Sequence, residues 1–128
     1  KLALAINIIR MGKILFKNRP HLAVLDAITA MEGDGPLSRG EAKDLNLIIA
    51  GTDVVAVDRV ACEIAGPGKK IQYILQAGKI GIGEANLENI EIIGESIKNV
   101  KTKFKMHRLF KYSKFTKEEL KKLDEYTV

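Results

Sequence analysis

Four carboxylates stand where an α/β chain places working side chains. Asp26 falls late in an apolar run, Glu32 opens a glycine-rich loop, and Asp53 and Asp58 fall at the start and in the first turns of a helical pattern. In open α/β sheets ligands gather beyond the carboxyl ends of the strands, so parallel strands would carry Asp26, Glu32 and Asp53 toward one edge. Oxygen donors of this kind suit Mg²⁺ or Mn²⁺, and a carboxylate there can instead act as a general base. Asp26 and Glu32 are the candidate catalytic residues on that reading. Asp26 is the more suggestive, because it interrupts an apolar strand and a buried carboxylate needs a partner or a metal. Structural readings stand beside the chemical ones. Asp53 is well placed as a helix N-cap, a role worth about 1 kcal/mol. Asp58 reads most simply as an exposed or arginine-paired helix residue, and Glu32 as part of a solvated loop.

The loop GDGPLSRG adds backbone to these acids. Gly33, Gly35 and Gly40 permit close approach, and Pro36 stiffens the turn. Such a loop can cradle a phosphate or carboxylate, with Ser38 and, better, Arg39 adding an anion contact. The candidate ligand-binding set is therefore Gly33, Gly35, Arg39, Asp53 and Asp58, for an unidentified small molecule. The loop is no P-loop, since it lacks the Gly-Lys-Ser/Thr that sets a lysine on the phosphates, and Gly81-Ile82-Gly83 falls far short of a dinucleotide fingerprint. His21 and His107 lie in different segments without ligand spacing. Cys62 is the single cysteine, so the chain alone builds no disulfide and no cysteine-ligated cluster, and a reducing cytoplasm fits.

The elements that position these residues follow from periodicity. Residues 2 to 16 form a helical stripe with Arg10, Lys13 and Lys17 toward its end, where cations suit the dipole. HLAVLDAIT (21 to 29) and LNLIIAG (45 to 51) are near-continuous apolar runs, as in strands covered on both faces. GTDVVAVDRVACEIAG predicts a helix capped by Thr52 or Asp53 and ended by Gly66. Residues 69 to 77 read as a second helix, and NIEIIG (89 to 94) as a third strand. Thr116-Lys117-Glu118-Glu119 is a capping-box pattern ahead of Leu120, Leu123 and Tyr126. The fold class expected is α/β, a small parallel or mixed sheet of about three strands flanked by helices, with a basic C-terminal tail ending in a short helix.

Bulk numbers fit one domain: 128 residues, 46% hydrophobic. Charge is uneven. Residues 1 to 95 carry eleven Lys/Arg against twelve Asp/Glu, whereas residues 96 to 128 carry ten against four. The expected division is thus an α/β domain over 1 to 95, part of a longer one because the chain enters its first helix partway, and a basic tail over 96 to 128. A Lys-rich tail can meet nucleic acid, anionic lipid or an acidic partner, or be plain solvated surface. It lacks the aromatic pattern, zinc spacing and arginine-rich reader of a specific nucleic-acid binder. No signal peptide and no uncharged apolar run of about 18 residues is present, so no membrane span is expected.

The series LAVLDAITAMEGDGP, LIIAGTDVVAVDRVACEIAG and GIGEANLENIEIIGE, roughly residues 20 to 95, resembles the C-terminal half of the domain-of-unknown-function family 362, whose members are often described as iron–sulfur cluster-binding. The resemblance implies a larger α/β domain and a redox association through segments outside this chain, either a preceding portion or a redox partner. It brings no settled reaction. Val54 stands where the family usually has proline after the aspartate, a change that costs little in a helix's first turn, and no four-cysteine motif is present. The function expected is part of a ligand- or metal-binding enzyme. The alternatives are a non-catalytic docking module for an iron–sulfur partner and an electrostatic binder of an anionic partner through the tail.

Overall fold

The structure is a computed structural model in which residues 1–36, 39–68 and 71–127 are described, the side chains of Tyr112 and Ser113 excepted. Helix α1 (Leu2–Leu15) is followed by strands β1 (Ala23–Gly33) and β2 (Gly40–Gly51), then helices α2 (Val54–Ala65) and α3 (Gln72–Lys79). After α3 the chain makes a short 3-10 turn (Leu87–Asn89), a single helical turn α4 (Ile97–Val100), another 3-10 turn (Phe110–Ser113) and helix α5 (Lys117–Thr127). Helices thus flank a sheet, as the α/β reading requires.

The sheet itself corrects the sequence reading. Among the described residues it has two strands, and they pair antiparallel as a hairpin, Ala23 opposite Gly51 and Gly33 opposite Gly40. Only six residues separate the strand ends, too few for a parallel crossover, which needs a dozen or more. Residues 90–93 of the expected third strand run without regular structure after the 3-10 turn. The apolar continuity of the two runs has a different cause from burial on both faces. Ala23, Leu25, Ala27, Leu47 and Ile49 alternate toward the packed side, but the open side also carries apolar residues, among them Val24 and Ile48, 62% and 58% exposed.

Helix α2 joins the two halves of the core. Val57, Val60 and Ile64 are buried and, with Leu47 and Ile49, wall a groove between the helix and β2. Val55 instead enters a cluster with Ala5 and Ile9 of α1, Ile74 and Ala77 of α3, Ile82, and Leu123 of α5. Burying side chains the size of Ile9 or Ile74 contributes about 1.5–3 kcal/mol each. The α2 boundaries are those the sequence implies: Asp53 caps the start, and Gly66 ends the helix in the left-handed region, φ 102°. The second helix begins at Gln72; Lys69 and Lys70, where its start was expected, lie outside the described residues. The capping box forms as read, with the Glu119 N–H donating to Thr116 Oγ1 (3.2 Å) and the Thr116 N–H to Glu119 Oε2 (2.9 Å).

The basic C-terminal residues fold back onto the rest of the chain. The Thr102 and Phe104 N–H groups donate to the Ile64 and Ala65 carbonyls at the end of α2, and Gln76 of α3 donates to the buried Thr127 hydroxyl (2.8 Å). Among the described residues no helix is long and apolar enough to cross a membrane.

Candidate functional site

The N-terminus of α2 is where an α/β site would receive an anion, and here it is filled by the protein's own groups. Asp53 Oδ1 accepts from the Val55 and Ala56 N–H groups at 2.9 and 3.0 Å, and the Val57 N–H donates to the Asp53 carbonyl. The Val54 N–H donates to His21 Nε2 at 3.3 Å, which leaves His21 Nδ1 to donate to the Arg19 carbonyl. Asp53 Oδ2 is also occupied, accepting from the Glu84 N–H at 2.7 Å. That last bond draws the loop after α3 so close that a Cβ on Gly83 would sit 2.1 Å from Asp53 Oδ1. Asp53 therefore caps the helix and clamps a second loop to it.

The hairpin tip is similarly self-satisfied. Glu32 accepts from the Lys105 N–H (3.0 Å) and from Lys43 Nζ (3.1 Å), while the Gly33 N–H donates to the Lys105 carbonyl. These bonds, the backbone one first, hold the Glu32 carboxyl below its usual range. Asp34 accepts from the Arg108 N–H (2.8 Å) and is held low in the same way, with Arg39 adding a small favourable charge. Gly33 takes positive φ (79°) at the strand end, and a Cβ on Gly35 or Gly40 would collide with the Met31 sulfur. The glycines thus close the tip around Met31. Ser38 lies outside the described residues.

Antiparallel pairing also removes the premise that would gather the acids. Glu32 sits at the tip and Asp53 beyond the base, nine residues of strand apart or about 30 Å. The register shifts by one between Ala27 and Thr29, where Asn46 adopts φ 51°, a β-bulge. Burial along β1 changes parity there, so Asp26 stays on the open face while Glu32 turns to the side where Lys105 runs. Asp26 is exposed, correcting the expectation of a buried carboxylate, and its Oδ1 accepts from the Ile28 N–H at 2.9 Å.

The fourth acid differs from the rest. Asp58, one turn into α2, lines a cleft of about 410 Å³ between α1, α2 and α3, within the usual range for small-molecule sites of about 300–1000 Å³. Ile8, Met11 and Leu15 of α1, Tyr73 and Ile74 of α3, and Ile82 supply most of its wall. Asp58 is partly buried, and its carboxylate accepts no hydrogen bond and forms no ion pair among the described residues. Arg59, its neighbour in sequence, points elsewhere: it is 1% exposed and both its Nη atoms donate to Glu63 Oε2 at 3.2 Å. Burial accordingly raises the Asp58 carboxyl above its ordinary value. Burial first and then the Asp58 charge raise the Tyr73 hydroxyl, and the same pair of causes pushes the Cys62 thiol up to about 11.

Cys62 is thus a neutral thiol at pH 7, the opposite of an activated nucleophile or cluster ligand. One such thiol is not the donor set of an iron–sulfur centre. Among the described residues no three His, Cys, Asp or Glu side chains gather as a metal site, and a lone carboxylate in an apolar wall does not match the six oxygens that Mg²⁺ prefers.

Sequence reasoning singled out Asp58 but missed the cleft around it. The sequence pattern does not single out Gly12, Tyr73, Ile8 or Met11, although α1 is apolar on nearly every side, the pattern of a helix with more than one packing surface.

The model of the family described as "Domain of unknown function (DUF362)" matches residues 2–63, just under half of the chain. The matched segment holds α1, the hairpin and α2 as far as Glu63, so it includes two walls of the cleft and stops short of α3. It starts earlier than the resemblance read from the sequence and omits the GIGEANLENIEIIGE piece. Searches of curated proteins and of solved structures found no significant match.

Proposed function

We propose that this chain is a ligand-binding α/β unit whose site is the cleft between α1, α2 and α3. The observation that carries the reading is Asp58, a partly buried carboxylate without a hydrogen-bond partner among the described residues, set in a cavity of about 410 Å³ whose lining is apolar apart from Asp58, Asn7 and Tyr73. A carboxylate in that setting costs stability unless something compensates it. Cavities with apolar walls and few polar groups are the common form of small-molecule sites, the polar group fixing orientation and the walls supplying affinity. The other candidate acids have partners that account for their placement: Asp53 in the cap, Glu32 in the strap to Lys105, and Asp26 in a local bond to Ile28.

A blocking substitution tests this directly. A Cβ on Gly12 would meet only the Ile82 methyl at 3.7 Å and the Phe16 ring at 4.0 Å, ordinary contacts, so Gly12→Leu directs bulk into the cleft without a backbone clash. It also removes a glycine from the interior of α1, worth up to about 1 kcal/mol in helix propensity. Fluorescence titration with the neutral probe N-phenyl-1-naphthylamine should show saturable binding to the parent chain. Binding to Gly12→Leu should be weakened by about tenfold, one or two buried contacts' worth, at an undiminished melting temperature. Equal binding by parent and variant would contradict the cleft reading.

A further inference from the structure

Resting on the cleft as the binding site, we propose that its ligand is an apolar cation, an alkyl- or arylammonium compound whose charged end meets Asp58 and whose hydrocarbon body lies against α1 and α3. Asp58 lines the cavity and receives no hydrogen bond from any described group. Two cations in or next to the elements that wall the cleft are committed elsewhere. Arg59 is bound to Glu63 through both terminal nitrogens, and Lys17 Nζ donates to the Ile80 carbonyl at 3.1 Å.

A neutral apolar ligand would cover the carboxylate and leave it unpaired, which costs the full desolvation of a charged acceptor. An anion would add like-charge repulsion. An ammonium group supplies up to three donors to the acceptor-only carboxylate, and Tyr73 contributes an aromatic ring to the same wall, a surface that favours cations over neutral groups. Beyond Asp58, Asn7 and Tyr73, the lining is hydrocarbon, Ile8, Met11, Leu15, Ile74 and Ile82 among it, which suits a hydrocarbon body. Among the described residues no three His, Cys, Asp or Glu side chains gather around Asp58, so a hydrated metal ion would find a single carboxylate.

The test compares cyclohexylmethylammonium with cyclohexylmethanol, nearly equal in shape and differing in charge, by isothermal titration of the full chain at pH 7. The ammonium should bind about tenfold tighter or more, as a charge-assisted hydrogen bond implies. In Asp58→Asn that ratio should fall to near one, and in Asp58→Glu it should be largely retained, which separates lost charge from lost fold. A parent chain that binds both compounds equally overturns the cation assignment and leaves the cleft reading standing. A preference that survives in Asp58→Asn overturns the role of Asp58. Binding of neither compound overturns both readings.

Discussion

Asp53 and Asp58, five residues apart on one helix end, show how environment divides two like side chains. Asp53 accepts three backbone N–H bonds, whereas Asp58 accepts none among the described residues and faces hydrocarbon. The consequence for Asp58 is a pH dependence of definite sign. Its pKa is raised in the folded chain, so the native state holds the proton more tightly than the unfolded state. Its contribution is most favourable below the ordinary value of 3.8 and declines as pH rises through the folded value. Asp58→Asn should therefore melt higher than the parent at pH 7, by an increment on the order of 1 kcal/mol, and the gap should close toward pH 3. Thermal melts of both proteins across that range check this; a variant that melts lower at pH 7 would mean that the carboxylate has a compensating partner after all.

At the scale of elements, the clamp between α2 and the loop after α3 is the sharpest dependency. Asp53→Ala removes a cap and the bond to Glu84 and should cost roughly 2 kcal/mol. Gly83→Ala should cost a similar amount, because the added methyl, 2.1 Å from Oδ1, displaces the same carboxylate. Since both changes break one contact, denaturant melts of the double variant should show much less than the sum; simple additivity would contradict the clamp. Helix α2 was legible in the sequence from end to end, as Asp53 and Gly66 are local signals, and so was the start of α5 in Thr116 and Glu119. The hairpin was half legible. Its apolar centres are legible at 21–29 and 45–51, but the strands run on through Gly33 and from Gly40, where polar residues such as Glu41 and Lys43 hide the β pattern, so the connection reads longer than the six residues it has. The open face carrying Val24 and Ile48 then imitated a strand buried on both sides. The cleft was not legible, because it is made by three helices whose relative placement no local spacing encodes.

For the whole molecule, two apolar surfaces invite comparison. One is the open face of the hairpin, where Val24, Ile28 and Ile48 surround an exposed Asp26. The other is the concave cleft, where Ile8, Met11, Leu15, Ile74 and Ile82 surround a partly buried Asp58. Shape separates them, since concavity lets a small ligand be covered on several sides and gain far more per atom than on a flat sheet. The family match runs through α1 and α2, two of the three helices that make the cleft. The most direct measurement is a methyl-resolved NMR titration with cyclohexylmethanol. Saturable shifts concentrated on Ile8, Met11, Leu15, Ile74 and Ile82 are the expected result; shifts confined to Val24, Ile28 and Ile48, or none at any of these methyls, would contradict the assignment of the cleft as the binding site.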